Sequence, residues 1–161
     1  MPTAFPWTVK LKTELSTALA SAVTAGIFAS GTGAVYNYDA WPASLAALPS
    51  ILIGFGPGGT QTYGLSSPAI LHHYCRIWIY MPTFTLAQAQ AAAMPFMKIV
   101  RDQLAGSILL DNTVAHIAPP QEPALYYEGP GEVDYAGQKY IALILSYDVK
   151  EDETGLFTVS A

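Results

Sequence analysis

The residues best suited to chemistry lie in one short stretch, AILHHYCRIWIYM, which runs from Ala69 to Met81. It contains two adjacent histidines, His72 and His73, and the only cysteine of the chain, Cys75. Imidazole and thiolate groups bind zinc, and a cysteine beside a histidine can act as a nucleophile. A zinc site or a thiol enzyme is therefore the first kind of function to consider for this stretch.

The spacing of these residues argues against both kinds of site. The residue pattern predicts a β-strand, in which successive side chains point to opposite faces. His73 and Cys75 then share one face and His72 lies on the other, whereas zinc requires three or four converging ligands. A cysteine in the middle of a strand also lacks the polar cleft or helix N-terminus that activates a thiol. We therefore expect no catalytic residue, metal or cofactor, and an enzyme or metal-binding module remains the alternative.

The second face of the same strand predicts a contact surface. It carries Tyr74, Arg76, Trp78 and Tyr80. Tyrosine, tryptophan and arginine are the residue types that concentrate in protein interfaces. The strand is thus predicted to cover a core with its apolar face and to offer the aromatic face to a partner.

The composition favours an assembled structural protein over a nucleic-acid or membrane protein. Apolar residues make up 52% of the 161 residues and charged residues only 12%, about half the usual share. A surface so poor in charge is expected to be buried in an assembly. A net charge of −5 with seven Lys and Arg residues argues against general nucleic-acid binding. We find neither a signal peptide nor an apolar run of membrane-spanning length, and a single cysteine fits a reducing compartment.

The order of predicted elements favours an α+β fold: a mostly antiparallel β-sheet with two α-helices packed on one face. Apolar residues recur at helical spacing over residues 7–25 and again over 84–104, where Pro95 should kink or divide the second helix. Thr85, or equally Thr83, can cap the start of that helix. The other predicted elements are strands, at residues 34–38, 50–55, 70–81, 111–117, 124–128, 132–135 and 139–149.

Two segments are predicted to lie outside the regular sheet. Residues 54–68, GFGPGGTQTYGLSSP, hold five glycines and two prolines, which interrupt a ladder, so we expect a mobile arm or a protruding hairpin. They lack the Gly-Lys-Ser/Thr ending of a phosphate loop. Residues 150–161 begin with an acidic cluster without calcium-loop spacing and are predicted to form an acidic tail. A single domain is therefore expected over residues 1–149.

Taken together, the segments resemble the tail terminator (tail completion) proteins of long-tailed bacteriophages. The resemblance rests on a leading amphipathic helix followed by AVYNYDAWPASLAALPSILIGF, on RIWIYMP before an Ala/Gln-rich helix, and on the closing GPGEVDYAGQKYIALILSYDVKE. It covers most of residues 8–151. The glycine-rich loop, Pro95 and the extension after Val149 depart from the family pattern.

The resemblance implies a structural role in the virion at the head–tail junction, with assembly in the host cytoplasm. Such proteins form a hexameric ring on the head-proximal end of the tail tube, end its polymerisation, and join a head–tail connector or stopper protein. The implied partners are therefore other copies of the chain, the tail tube protein and that connector, with no membrane and no sequence-specific nucleic acid, although DNA can pass through the ring. Another tail-tube or neck subunit remains the structural alternative. The residues expected to reach neighbouring subunits, besides the aromatic face, are Gly56, Gly58, Gly59, Tyr63, Glu151, Asp152 and Glu153.

Overall fold

A computed structural model gives the fold and describes residues 6–28, 33–62, 70–82, 85–106, 116–117 and 126–152. Within these residues the chain forms two helices and six strands. Neither helix is long and apolar enough to cross a membrane. The elements in chain order are α1 (Pro6–Thr24), β1 (Ala34–Tyr36), β2 (Ser50–Thr62), β3 (Ile70–Tyr80), α2 (Leu86–Ala105), β4 (His116–Ile117), β5 (Tyr126–Tyr135) and β6 (Gln138–Asp152).

All six strands belong to one mostly antiparallel sheet, which confirms the predicted α+β class. The strand order is β1-β2-β3-β6, and β6 then pairs on its other side with both β5 and β4. Only the β1–β2 pair is parallel. The β3–β6 ladder is regular from Ile70 opposite Asp152 to Tyr80 opposite Ala142. The position of β6 agrees with its sequence, since a strand that is apolar on both faces belongs inside a sheet.

The main core lies between the two helices and one face of the sheet. Leu11, Leu15 and Leu19 of α1 recur at four-residue spacing and are buried there, as an amphipathic helix requires. Phe96 of α2 is fully buried and packs edge to face on Phe28, with ring centroids 5.0 Å apart. The strands contribute alternate residues to this face: Ile51, Ile53, Cys75, Ile77, Ile79, Leu143, Leu145, Tyr147 and Val149.

A second, smaller apolar cluster lies on the opposite face, which we call the outer face of the sheet. Residues 41–49 cross this face, and Leu45 from this segment packs with Leu52, Tyr80 and Ala142. The hydroxyl of Tyr135 donates a hydrogen bond to the carbonyl of Pro42. The crossing segment therefore covers one part of the outer face and leaves the rest open.

The helix ends follow from local sequence. Thr85 caps α2 as predicted, because its hydroxyl accepts a hydrogen bond from the backbone N–H of Gln88 at 3.3 Å. α1 ends ahead of Gly26, which has a positive φ of 76°, the conformation that glycine adopts most easily after a helix. Pro95 does not divide α2, which continues through it with the proline ring exposed.

The two segments predicted to lie outside the sheet are partly strand. β2 continues to Thr62 and includes the first nine residues of the 54–68 segment. Six of these nine pair with β3, and the irregularity that the glycines predict lies between Phe55 and Gly59. β6 continues to Asp152 because its backbone keeps pairing with β3 beyond residue 149. The predicted boundary at 149/150 therefore falls inside a strand. The predicted strands 124–128 and 132–135 are one strand, β5, with a register shift between Glu128 and Gly131.

The β5–β6 hairpin has a strained turn that offers a direct test of its geometry. Ala136 and Gly137 connect the two strands with φ angles of 49° and 81°, which corresponds to the two-residue turn that prefers Asn-Gly. A non-glycine, non-asparagine residue in this left-handed region costs about 1 kcal/mol.

We therefore expect Ala136→Asn to raise the free energy of unfolding by about 0.5–1 kcal/mol, measured by urea denaturation. Gly137→Ala is the matched control of opposite sign, because it places a β-carbon where glycine is tolerated best. Equal effects of the two substitutions would contradict the turn geometry.

Candidate protein interface

Cys75 lies in the main core and not in a cleft. Its side chain is fully buried, and burial raises the pKa of the thiol to about 12. Tyr147 lies directly opposite on β6, and burial raises the pKa of this phenol as well. A thiol that stays protonated at neutral pH is a poor nucleophile and a poor metal ligand. The environment of Cys75 thus opposes the chemistry that the His-Cys stretch first raised.

We expect Cys75 in the folded protein to resist a thiol reagent such as dithiobis-nitrobenzoate at pH 8, and to react fully once urea unfolds the chain. The pKa shift also has a consequence for stability. The unfolded thiol ionises near 9.0 whereas the folded one ionises near 12, so its contribution to stability is complete below pH 9 and declines as pH rises toward 12. Rapid labelling under native conditions would contradict this burial.

Sheet register brings His72 and His116 together in a way that the sequence does not reveal. Both are paired with Lys150 of β6, from opposite sides, so the three residues form one cross-strand row. His73 instead pairs with Val149 in the adjacent row. Among the residues whose side chains are described, no three His, Cys, Asp or Glu residues gather as metal ligands do.

The exposed part of the outer face carries a connected group of Trp41, Trp78 and Arg76, which we call the tryptophan patch. The two indole rings pack edge to face with centroids 5.3 Å apart. The guanidinium of Arg76 lies 5.7 Å from the centre of the Trp78 ring, within the range of a cation–π contact. The same guanidinium pairs with the carboxylate of Glu128 at 3.2 Å. Trp41 is 42% exposed, so a large apolar ring faces solvent here.

Two backbone features hold the tryptophan patch in place. The indole N–H of Trp41 donates to the carbonyl of Ile53 at 2.8 Å, at a point on β2 just past the last residue paired with β1. Gly54 provides the space beneath the rings, since a β-carbon there would lie 2.7 Å from Trp41 and 2.8 Å from Trp78. The arrangement is therefore built before any partner binds, which lowers the entropy cost of binding.

The structure separates the four residues that the sequence placed on one contact face. Arg76 and Trp78 are half-buried and belong to the tryptophan patch, whereas Tyr80 is only 3% exposed. Tyr80 packs on the rings of Tyr135 and Tyr140, with centroids 5.5 and 5.6 Å away, and burial raises its pKa. Tyr80 is covered because residues 41–49 cross the sheet above it, a packing that strand alternation cannot predict.

For the remaining predicted contact residues, the structure gives the backbone position of some and does not describe the others. The backbone of Tyr74 pairs with that of Asp148, two residues along β3 from Arg76. Gly56, Gly58 and Gly59 lie in or beside the irregular part of β2. Glu151 and Asp152 pair with Leu71 and Ile70 at the end of β6. Tyr63 and Glu153 lie outside the described residues.

Trp41 belongs to the tryptophan patch although it is not among the residues predicted above to reach neighbouring subunits. Its position in a proline-containing segment, AWPAS, gives a loop prediction and no information about which strand it covers. The one available signal is its residue type, because an apolar aromatic in a polar-rich or proline-rich loop often marks a contact. The structure, and not the sequence, shows that Trp41 packs against Trp78 above Gly54.

Comparison with known proteins gives no family assignment. No family model matches the chain, and no curated protein matches it. A solved chain from the virion of a native gene transfer agent particle aligns with 91% of this chain and 98% of its own length, at 18% identity and a TM-score of 0.42. A likeness this distant establishes neither a family nor a function.

Proposed function

We propose that this protein is a structural virion protein that forms a ring on the head-proximal end of a phage tail tube. The ring ends tube polymerisation and provides the surface for head–tail joining. The observation that carries the proposal is the preformed tryptophan patch, which presents Trp41, Trp78 and Arg76 on a sheet whose other face is already covered by helices. Tryptophan and arginine in such an arrangement are the usual centre of a binding interface.

The distribution of charge supports extensive contact between subunits. Between Leu15 and Met97 the sequence contains only two charged residues, Asp39 and Arg76. This part of the chain includes β1, β2, β3 and the exposed side of α1 after its first turns. Surface with so little charge is readily desolvated, because few ions need to be removed from water when a partner covers it.

A ring requires a heterologous interface, in which one patch of a subunit binds a different patch on the next. The tryptophan patch supplies one such surface on the outer face. The sequence resemblance described above supports the terminator role in particular, since it implies both the ring and its place at the end of the tube.

Negative-stain electron microscopy of the protein mixed with purified cognate tail tubes tests the proposal. We expect rings seated at one end of each tube, and no further lengthening of capped tubes when free tube protein is added. Binding along the tube wall would favour a tube subunit, and binding only to head-side connectors would favour a neck subunit. Tubes that continue to lengthen with the protein present would contradict a capping role.

A further inference from the structure

A groove lies between the exposed side of α1 and the edge of β1. Its volume is about 440 Å³, within the range of sites that enclose small ligands or a few side chains. The apolar part of its wall comes from Leu19, Val23 and Val35. It lies on the helix-covered side of the sheet, apart from the tryptophan patch.

The groove can be covered without leaving polar groups unpaired. Its two hydroxyl residues, Ser16 and Thr24, donate to helix carbonyls four residues earlier, at 2.8 and 3.0 Å. No charged residue occurs from Leu15 to Tyr38, so neither the helix side nor the strand side of the groove carries an ion. An apolar segment bound here would therefore meet no desolvation penalty from side-chain ions.

Among the described residues, the edge of β1 beside the groove is open, whereas charged side chains protect the opposite edge of the sheet. In the described part of the chain, β1 pairs with β2 and has no strand on its other side. β5, at the opposite edge, carries Glu128, Glu132 and Asp134, and charged side chains discourage strand addition. An extended segment can therefore add to β1 and place side chains into the groove, as in β-augmentation.

The sequence contains a segment suited to this position. Residues 154–161, TGLFTVSA, follow directly after the acidic cluster and contain no charge. Phe157, Thr158 and Val159 favour extended structure, and Leu156, Phe157 and Val159 supply apolar side chains for an apolar wall.

This segment cannot reach the groove of its own chain. β6 ends at Asp152, opposite Ile70, whereas the groove residue Val35 of β1 lies level with Ile79, nine residues along β3. Those nine residues span ~30 Å, and three strand spacings add ~14 Å sideways, a separation of roughly 33 Å. Residues 153–161 span at most ~32 Å when fully extended, and part of that length would have to lie within the groove. The occupant must therefore come from a second copy.

We infer that residues 154–161 of one copy bind along β1, in the α1–β1 groove of the next copy. The inference rests on the proposed ring and deepens it, because each subunit then has one donor segment and one acceptor groove. Such a donor–acceptor contact is heterologous and repeats around a closed ring.

Sedimentation velocity of full-length variants tests the inference. Ala20→Glu places a charge in the groove wall at an exposed helix position, and Phe157→Asp places one in the donor segment. Each is expected to weaken self-association at least about tenfold, since an unpaired charge would have to be buried. Thr17→Glu, also exposed on α1 but outside the groove, is the matched control and should assemble as the wild type does.

Mixing the two defective variants gives the most specific result. The intact segment of Ala20→Glu can enter the intact groove of Phe157→Asp, so an equimolar mixture should form dimers and no ring. Wild-type-like assembly of either variant alone, a mixture that stays monomeric, or a wild-type chain that is monomeric up to about 1 mM would overturn the inference. If the wild-type chain is monomeric but still caps tubes, the groove contact is refuted and the capping role stands. If the variants mix as expected but the wild-type protein does not cap tubes, the capping role is refuted and the groove contact stands.

Discussion

Trp78→Ala is expected to weaken ring or tail assembly far more than it weakens folding of the single chain. Trp78 is at the centre of the tryptophan patch, where its ring contacts Trp41 and the guanidinium of Arg76. The ring also fills the space above Gly54, where a β-carbon would collide with it. Truncating a central tryptophan in an interface typically costs 2 kcal/mol or more of binding free energy, which corresponds to a loss of at least about 30-fold in affinity. Because Trp78 is only half-buried in the chain, the cost to folding should be smaller than for a core tryptophan.

Two further variants make this result specific. Trp41→Ala removes the exposed half of the ring pair and should show a similar loss of assembly. Tyr127→Ala is the matched control, because Tyr127 is 48% exposed yet lies opposite Leu145 on the helix-covered side of the sheet. Assembly is read from electron microscopy of capped tubes and from tail length, and folding from urea denaturation. Normal tail length and normal virion assembly in the Trp78→Ala mutant would remove the outer face from the interface.

Phe96→Ala is expected to destabilise the chain by about 3–5 kcal/mol, the usual cost of emptying a buried phenylalanine site. Phe96 is fully buried between the helices and the sheet, and its ring packs edge to face on Phe28. For a chain of this length such a loss lowers the melting temperature on the order of 10 °C.

The control for this substitution lies two residues earlier in the same helix. Met94 is exposed, so Met94→Ala should change the free energy of unfolding by less than about 0.5 kcal/mol. Both variants are compared by thermal and urea denaturation. A small effect of Phe96→Ala, similar to that of Met94→Ala, would mean that α2 does not pack on the sheet as described.

Elements that depend on short-range patterns could be predicted from the sequence. The two helices, the Thr85 cap and the hairpin turn at Ala136 and Gly137 follow from spacing and from residues with special backbone preferences. The central place of β6 follows from its two apolar faces. Residues that are close in the sequence determine these features, so a single sequence is enough to predict them.

Features that depend on long-range pairing could not be predicted. The burial of Tyr80 requires residues 41–49 to cross the outer face, and the tryptophan patch requires Trp41 to pack above Gly54. His72 and His116 share a cross-strand row through Lys150 because β4 pairs with the C-terminal end of β6, which is a long-range pairing. Strand alternation gives the face of each side chain but not the elements that later cover that face.

The place of β6 in the sheet also determines when this protein can fold during its synthesis. β3 has to wait for a partner that follows it by about 70 residues, since Ile70 pairs with Asp152 and Tyr80 with Ala142. Closing such a distant pair is slow compared with helix formation, and the ribosome must first translate all of β6. Until then the edge of β3 that pairs with β6 has no partner, so the nascent chain lacks a complete sheet. A contact surface that requires the complete sheet can therefore form only after β6 has been translated.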